Sequence, residues 1–303
     1  MHIKIGTRGS KLALTQANLV ADSLKKAEPQ INAEICIIKT SGDIMQDVSL
    51  SKIAGKGVFV KEIEDALLTG TIDMAVHSMK DVPTENPQGL VFAAILPRED
   101  VRDILVAKDN RKIEFMPRGA RIGTGSMRRA SQLLAVLPDI KIVPLRGNLE
   151  TRLKKIETEN LHGVILAAAG MKRMGLAGSI SQYLPLETML PAVGQGALGL
   201  QIRENDDDLK KILAKLNHAP TAAEIKAERS FLRALGGGCL LPIAAFGKVE
   251  GDKLTLEGLV AAPTGATVIR DKVRGSIAEA EDLGKKLAEM ILEKGGKNLL
   301  ETC

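Results

Sequence analysis

The chain has 303 residues, of which 45% are hydrophobic and 26% charged, with 29 Gly and 12 Pro. This length and composition predict two or three globular domains and exclude a small module, a disordered chain and a collagen-like repeat. The net charge of +5 is too small an excess to indicate a nucleic-acid binder, but it leaves room for an anionic ligand. The apolar runs fall short of the ~20 residues that a membrane-spanning helix needs, and no secretory signal precedes the first predicted strand. We therefore expect a cytoplasmic protein that does not enter a membrane.

The N-terminal part of the chain alternates predicted strands and helices. Hydrophobic spacing predicts strands over 3–7, 33–39 and 72–77, with one helix that begins after Ser10 and another over 58–69. This βαβ-like order favours a parallel or mixed sheet, and ligands of such sheets bind where strands end. Functional side chains are therefore expected directly after the predicted strands.

A second region of the same type follows, and the C-terminal region differs from both. Its strands are predicted over 104–107, 121–123, 141–145 and 164–168, and its helices over 127–137 and 149–159. A strand over 199–203 and helices over 207–216 and 221–235 come next. Alternating segments over 243–249, 253–261 and 267–274, followed by a helix over 278–293, predict a small domain with an antiparallel three-stranded sheet.

Residues 194–199 match the pattern Gly-x-Gly-x-x-Gly of dinucleotide sites. Pro191 precedes the match and a strand-like run follows it, so the strand, turn and helix of such a site are missing. We interpret these glycines as a flexible crossing between domains.

The first candidate site is a glycine-containing turn between a predicted strand and helix. Free N–H groups at a helix start attract anions, and hydroxyl and guanidinium groups add to that attraction. The side chains concerned are Thr124, Ser126, Arg128 and Arg129, with Arg146 and Arg152 near the next strand and helix. A solvated helix start explains the pattern equally well, because arginine pairs are common on surfaces.

The second candidate site ends the predicted strand over 72–77, where His77, Ser78, Lys80 and Asp81 occur together. A carboxylate beside a lysine stays ionised and can stabilise a developing cation or carry a proton. A salt-bridged turn is an equally weighted alternative. A hydrolase is disfavoured because the chain has no Gly-x-Ser-x-Gly pattern. A metal site is disfavoured because none of the four histidines is spaced as a ligand pair.

Cys239 follows three consecutive glycines, which would let a large group approach its sulfur. We favour an accessible nucleophilic thiol there over the buried inert cysteine that is commonest for this residue type. Cys36, within a predicted strand, and Cys303, at the end of the sequence, are interpreted as core filler and tail. Three cysteines so far apart disfavour a disulfide framework.

Taken together, these segments resemble the porphobilinogen deaminase family. The resemblance follows the family's order through residues 6–10, 52, 55–62, 77–83, 123–129, 145–148, 167–175, 191–196 and 236–239. A single segment of this kind is a weak signal, but the whole series in register is specific.

The resemblance implies an α/β fold of three domains. Two would be α/β domains like those of periplasmic binding proteins, and the third a small C-terminal α/β domain with a three-stranded antiparallel sheet. The implied division is 1–96 with 197–216, then 97–196, then 217–303, and the last range carries the cofactor cysteine.

The resemblance also implies a chemistry, that of a transferase in tetrapyrrole (haem) biosynthesis. Cys239 would hold a dipyrromethane cofactor through a thioether, and four porphobilinogen units would be added head to tail, with loss of ammonia, before hydrolysis to hydroxymethylbilane. Asp81 would be the catalytic carboxylate, and Phe59 would stack on a ring as a lid. The residues implied to bind the cofactor and substrate are Arg8, Ser10, Ser78, Lys80, Thr124, Ser126, Arg128, Arg129, Arg146, Arg152 and Arg173.

A non-catalytic carboxylate-binding protein of the periplasmic type is the alternative from another class. It would share the arginines but would need neither a glycine-flanked thiol nor an acid among basic groups. Nucleic-acid binding is disfavoured, since the chain has no Trp, one Tyr and five Phe as stacking platforms. The resemblance suggests a monomer with porphobilinogen as its small-molecule partner, and the histidine spacing leads us to expect no bound metal.

Overall fold

The computed structural model of the chain describes residues 1–44, 59–237 and 241–301. The strands in these ranges are β1 (His2–Thr7), β2 (Asn32–Ile37), β3 (Met74–Ser78), β4 (Leu90–Ile95), β5 (Asp103–Ala107), β6 (Arg121–Gly123), β7 (Lys141–Val143), β8 (Gly163–Ala167), β9 (Gln182–Tyr183), β10 (Leu198–Arg203), β11 (Ile243–Glu250), β12 (Lys253–Ala261) and β13 (Val268–Ser276). The α-helices are α1 (Lys11–Ala27), α2 (Ser41–Ile44), α3 (Lys61–Leu68), α4 (Met127–Val136), α5 (Leu149–Thr158), α6 (Ala168–Arg173), α7 (Asp207–Ala214), α8 (Ala219–Ala234), α9 (Ala280–Ile291) and α10 (Lys297–Glu301).

The chain forms two compact units, of which the first comprises residues 1–99 and 197–222. Its centre is a mixed sheet in the order β2-β1-β3-β10-β4. β1 runs parallel to β2 and β3, whereas β10 runs antiparallel to β3 and β4. Leu24 of α1 and Leu209 of α7 belong to the core on one face, and Leu67 of α3 belongs to the core on the other. The carboxyl ends of β1 and β3 therefore share one edge of the sheet.

The second unit comprises residues 100–196 and 223–303. Its five-stranded sheet has the order β7-β6-β8-β5-β9, with β6 parallel to β7 and β8 and β5 antiparallel to β8 and β9. Strand order and directions thus repeat those of the first unit. In both sheets the antiparallel strand shortly follows a point where the chain passes from one unit to the other.

The second unit also contains the antiparallel sheet β11-β12-β13. Phe231 of α8 and Leu287 of α9 are fully buried in the core that covers it. These sheets confirm the predicted α/β class, with two five-stranded α/β regions and a small C-terminal region with three antiparallel strands. The division into 1–96 with 197–216, 97–196 and 217–303 stays a prediction.

Several element boundaries differ from the predicted ones. α8 spans Ala219–Ala234 rather than 221–235, and α9 ends at Ile291, where a π-helical turn follows. β4 was not predicted because its sequence LVFAAI is apolar without alternation, and the short elements α6 and β9 were also missed. The predicted start of a helix at Val58 lies outside the described residues. No helix in the described ranges is long and apolar enough to cross a membrane.

Candidate active site

The first unit carries candidate site residues at the carboxyl ends of β1 and β3. The two strands pair in parallel close to these ends, so the residues that follow each strand reach the same edge of the sheet. That edge carries Arg8, Ser10, Ser78, Lys80 and Asp81. The structure therefore places at one edge five residues that the sequence analysis assigned to the site, and four of them line the same pocket: Arg8, Ser10, Ser78 and Asp81.

Two hydroxyl groups hold α1 at this edge. Ser10 Oγ accepts a hydrogen bond from Ala13 N at 3.3 Å and caps the helix, and Ser78 Oγ donates to Gln16 Oε1 at 3.1 Å. A hydroxyl has one donor and two acceptor positions, so Ser10 can still donate and Ser78 can still accept. Both side chains keep hydrogen-bonding capacity for a ligand.

Arg8 and Phe59 contact each other through a cation–π interaction. The Arg8 guanidinium carbon lies 4.2 Å from the centroid of the Phe59 ring. The same ring packs on the backbone of Gly42, where a Cβ would overlap the ring atoms. These two contacts fix Phe59 in the structure, and its function as a stacking lid stays a prediction.

A pocket opens at this edge, and its lining includes Arg8, Ser10, Phe59, Ser78 and Asp81. Asp81 is exposed, and Arg8 is half-buried. The pocket therefore combines a carboxylate and a guanidinium that water can reach. A carboxylate placed in this way can stabilise positive charge that develops on a bound molecule.

His77 is a buried titratable group that also lines this pocket. Its side chain is 5% exposed, and burial lowers its pKa to about 4, so the imidazole is neutral at neutral pH. The Phe92 ring lies edge-to-face at 6.0 Å. Nearby in the same sheet, buried Gln201 donates from Nε2 to Glu64 Oε1 at 3.0 Å, and burial raises the pKa of Glu64.

The second unit carries a separate set of candidate site residues, at the corresponding edge of its own five-stranded sheet. β6 ends at Gly123, and Thr124 continues its pairing with β7. The Thr124 N–H donates to Val143 O at 3.0 Å, and Thr124 O accepts from Leu145 N at 3.2 Å. Thr124 is thus held in the sheet directly before α4.

The turn into α4 is tight. Gly125 lies against the carbonyl oxygen of Leu145, so no side chain fits there. The Ser126 N–H donates to Thr124 Oγ1 at 3.2 Å. Thr124 is buried and Ser126 half-buried at the start of the helix. The predicted glycine-containing turn between strand and helix is therefore present.

Arg128 and Arg129 share one buried carboxylate, that of Asp103. Arg128 Nη1 donates to Asp103 Oδ2 at 2.7 Å and to Leu190 O at 2.7 Å. Arg129 donates to Asp103 Oδ1 from Nη2 at 2.7 Å and from Nε at 3.1 Å, and its Nη1 donates to Ile165 O at 3.1 Å. We call Asp103, Arg128 and Arg129 the Asp103 cluster.

The Asp103 cluster carries a net positive charge inside the protein. Burial would raise the pKa of Asp103, but the two guanidiniums outweigh burial and hold this pKa well below its usual range. Arginine stays protonated in proteins, so two positive charges face one negative charge. Because Arg128 and Arg129 are 4% and 6% exposed, the alternative of a solvated helix start does not hold for them. Their binding of ligand carboxylates stays a prediction.

The remaining predicted arginines are half-buried. Arg146 and Arg152 lie in and after the turn between β7 and α5, where Arg152 Nε donates to Gly147 O at 2.8 Å. Arg173 ends α6, and its Nη2 donates to Gly196 O at 2.7 Å. The guanidiniums of Arg152 and Arg173 are therefore partly anchored by the backbone and partly accessible.

Sequence reasoning missed Asp103 and Gln195 as site residues. Gln195 is 1% exposed, and its Nε2 donates to Asp103 Oδ1 at 2.9 Å and to Val101 O at 2.7 Å. The available signals were an acidic residue at the start of an apolar strand and a glutamine between two glycines. Those glycines, Gly194 and Gly196, have φ of 75° and 89°, which the turn requires.

Cys239 lies outside the described residues, and its function stays a prediction. Of the glycines before it, Gly236 has φ 64°, and Gly237 lies so close to the Ile243 side chain that a Cβ would collide with it. Cys36 is a free, half-buried cysteine whose pKa is raised by burial. Over residues 1–44, 59–237 and 241–301, no group of three or more His, Cys, Asp or Glu side chains could hold a metal ion.

Family models match almost the whole chain. The model described as "Porphobilinogen deaminase, dipyromethane cofactor binding domain" matches residues 3–211, and "Porphobilinogen deaminase, C-terminal domain" matches residues 222–293. The chain belongs to the porphobilinogen deaminase family. The family, the transferase class (hydroxymethylbilane synthase) and the dipyrromethane cofactor predicted from the sequence are thereby confirmed.

Curated relatives agree with the family models. The porphobilinogen deaminase of Syntrophus aciditrophicus is 55% identical over 299 residues, which cover 99% of this chain and 98% of the relative. That of Alkaliphilus metalliredigens is 51% identical over 300 residues, which cover 99% of this chain and 95% of the relative. Porphobilinogen deaminases are therefore similar to this chain from end to end.

Solved structures resemble the chain at a lower level. The methionine binding protein MetQ has a TM-score of 0.45 at 13% identity, covering 71% of this chain and 89% of that one. The periplasmic VFT2 domain of Bordetella pertussis BvgS has a TM-score of 0.43 at 15% identity, covering 76% and 92%. At such TM-scores the family assignment rests on the sequence relatives.

Proposed function

We propose that this porphobilinogen deaminase family member joins four porphobilinogen molecules head to tail on a dipyrromethane primer attached to Cys239, and then hydrolyses the product to hydroxymethylbilane. The observation that carries the proposal is the net positive charge of the buried Asp103 cluster. Each pyrrole ring of such a ligand brings an acetate and a propionate, so negative charge accumulates as the product grows. Fixed guanidiniums are well suited to bind these carboxylates.

The donor set of the second unit fits a dipyrromethane group. A buried excess positive charge is costly without an anion, and ligand carboxylates would supply one. Hydroxyl and N–H groups at the start of α4 would bind further carboxylate oxygens. The residues that would hold the group are Thr124, Ser126, Arg128, Arg129, Arg146, Arg152 and Arg173. When bound through a thioether at Cys239, the group would supply the pyrrole carbon to which the first substrate is joined.

Asp81 would act as the catalytic carboxylate. In porphobilinogen the methylene–nitrogen bond breaks with its electron pair moving to nitrogen, which leaves as ammonia after protonation, and positive charge remains on the methylene and pyrrole ring. Asp81 lies on the short turn after β3, which the Val82 N–H closes by donating to Met79 O at 3.4 Å. A carboxylate held there would stabilise this charge without large rearrangement.

The other residues of the first unit would bind the substrate. Arg8 and Lys80 would pair with its carboxylates, and Ser10 and Ser78 would use their remaining hydrogen-bonding positions. Phe59 would cover a pyrrole ring as a stacking lid. We further propose a cytoplasmic monomer of three domains that has no nucleic-acid partner.

The proposal is tested by the intact mass of the purified, denatured chain and by peptide mapping. We expect a mass increase equal to two linked pyrroles on Cys239, absent from Cys239→Ser. The matched control is Cys36→Ser, which removes a half-buried thiol and should keep the adduct. A chain purified without the adduct should acquire it, and release ammonia, when incubated with porphobilinogen.

The opposite result would favour a carboxylate-binding protein. In that case porphobilinogen would bind without a covalent adduct and without ammonia release. An adduct that remains in Cys239→Ser would assign the attachment to another residue.

A further inference from the structure

The Asp103 carboxylate lies at the edge of the second unit's five-stranded sheet that carries the candidate site residues of that unit. It is the first residue of β5, which runs antiparallel to β8 and pairs Asp103 with Ala167, the last residue of β8. The start of β5 therefore lies where the parallel strands end. Asp103 has no exposed surface, so its charge must be met by neighbouring donors.

Both oxygens of Asp103 are used, and they are used unequally. Oδ2 accepts from Arg128, whereas Oδ1 accepts from Arg129 twice and from Gln195. Each guanidinium also donates to a main-chain carbonyl oxygen. Both guanidiniums are thus fixed at two points, one of which is Asp103.

Gln195 is itself held by buried groups. Its Nε2 is shared between Asp103 and Val101 O, and the preceding Gly194 N–H donates to Glu228 Oε2 at 2.7 Å. Glu228 has no exposed surface, and its Oε1 accepts from Gly247 N at 2.8 Å. The turn that carries Gln195 is therefore tied to α8 and β11, which gives the glycine motif of residues 194–196 a structural purpose.

We propose that Asp103, held by Gln195, is a positioning residue that orients Arg128 and Arg129 for ligand carboxylates. This inference rests on the proposed function, in which these guanidiniums bind the cofactor and substrate. One carboxylate that serves two guanidiniums fixes their directions and still leaves positive charge for the ligand.

The variant Asp103→Asn separates two functions of Asp103, because orienting the guanidiniums and neutralising their charge have opposite effects on the affinity for an anion. The substitution removes a negative charge beside the guanidiniums, so charge alone would tighten the binding of an anion. If Asp103 orients the guanidiniums, its loss weakens binding in spite of the greater positive charge. The direction of the change therefore distinguishes a positioning residue from a mere counter-charge.

The experiment uses the cofactor-free chain, produced in cells that make no porphobilinogen, and the loaded enzyme. The first readout is the porphobilinogen concentration at which half of the cofactor-free chain acquires the adduct, measured by intact mass. The second is the division of the effect between KM and kcat. For Asp103→Asn we expect both the half-loading concentration and KM to rise by about tenfold or more, since small displacements of positioned groups have effects of this size.

Gln195→Met removes the amide that donates to Asp103 and to Val101 O, and we expect about a threefold rise in the same two quantities. Gln182→Met is the matched control. Gln182 lies on β9 of the same sheet, donates to Glu114 Oε1 at 2.8 Å and accepts from Ile113 N at 2.7 Å. This variant therefore also loses one amide–carboxylate and one main-chain hydrogen bond, but neither partner belongs to the Asp103 cluster. Its half-loading concentration and KM should equal those of the unmodified chain.

Two results would overturn the inference: tighter or unchanged loading of Asp103→Asn, or equal loading of Gln195→Met and Gln182→Met. If Asp103→Asn does not fold, as judged by circular dichroism, the pair of glutamine variants decides alone. Failure of the unmodified chain to acquire any adduct is a different result, because it overturns the proposed function and the inference falls with it.

Discussion

The two five-stranded sheets have the same strand order and directions, but the charged side chains at their carboxyl edges differ in burial. In the first unit, Asp81 is exposed and Arg8 is half-buried against an aromatic ring. In the second unit, Arg128 and Arg129 are buried on Asp103. The charged groups of the first edge are thus accessible from solvent, whereas the two guanidiniums of the second edge are buried and held in place by Asp103. One topology can carry both arrangements because the burial of these charges depends on the residues at the strand ends and not on the strand order.

The largest effect is expected from Asp81→Asn, which removes the accessible carboxylate of the first edge. Loss of one preorganised charge commonly lowers kcat by about 100-fold to 1000-fold, and we expect a loss in that range with the fold retained. Ammonia release under saturating substrate is the measurement. Glu85→Gln, at another exposed carboxylate after the same turn, is the control. An equal loss in both variants would contradict the assignment of Asp81.

Arg128→Met and Arg146→Met compare a buried with a half-buried arginine. Arg128→Met removes the charged hydrogen bonds to Asp103 and Leu190 O but leaves Asp103 paired with Arg129, so it should lower the free energy of unfolding by about 1.5 to 3 kcal/mol. Arg146→Met should change it by less than about 0.5 kcal/mol, while still raising KM. Urea unfolding of the cofactor-free chain measures both. Equal losses of unfolding free energy in the two variants would mean that the difference in burial does not affect stability.

The buried His77 side chain at the first edge should make the free energy of unfolding depend on pH. Its pKa is lowered from 6.5 to about 4 in the folded chain, so the unfolded chain binds the proton first as the pH falls. The free energy of unfolding should therefore decrease between pH 6.5 and pH 4, by about 3 kcal/mol in total. In His77→Gln this share of the decrease should be absent. The exposed His2→Gln serves as control, and identical curves for His77→Gln and the unmodified chain would refute the prediction.

Ser10→Ala and Asn148→Ala test the smallest expected effect, that of helix caps at the two edges. Ser10 Oγ accepts from Ala13 N at 3.3 Å, and Asn148 Oδ1 accepts from Thr151 N at 2.9 Å. Each variant should lose about 1 kcal/mol of stability in urea unfolding. Only Ser10→Ala should also raise KM, because Ser10 lines the pocket. A KM that is unchanged in Ser10→Ala would restrict Ser10 to capping.

Local sequence patterns were sufficient for much of the fold. The turn over 123–126 and the capped start of α1 depend on residues close together in the chain, and both were predicted. β4 escaped prediction because a buried strand without alternation resembles any apolar run. Sequence patterns alone left a structural alternative open for each candidate site. The resemblance to a family assigned binding and catalytic functions to those residues.

The Asp103 cluster could not be predicted from spacing. Arg128 and Arg129 lie 25 and 26 residues from Asp103, and Gln195 lies 92 residues away, so nothing in the local pattern links them. The two arginines were assigned to ligand carboxylates without a protein partner. The structure gives them one, and this changes what their substitution is expected to do to stability.

The sequence by itself determined the alternation of strands and helices, the family and the chemistry that the family implies, because periodicity, turn residues and ordered motifs are written along the chain. Only the tertiary structure decided that both five-stranded sheets share one topology and that two arginines are buried on one carboxylate. Burial and ion pairing depend on which distant segments meet. The physical reason is that a charge leaves water only where the folded chain supplies enough donors and acceptors at once.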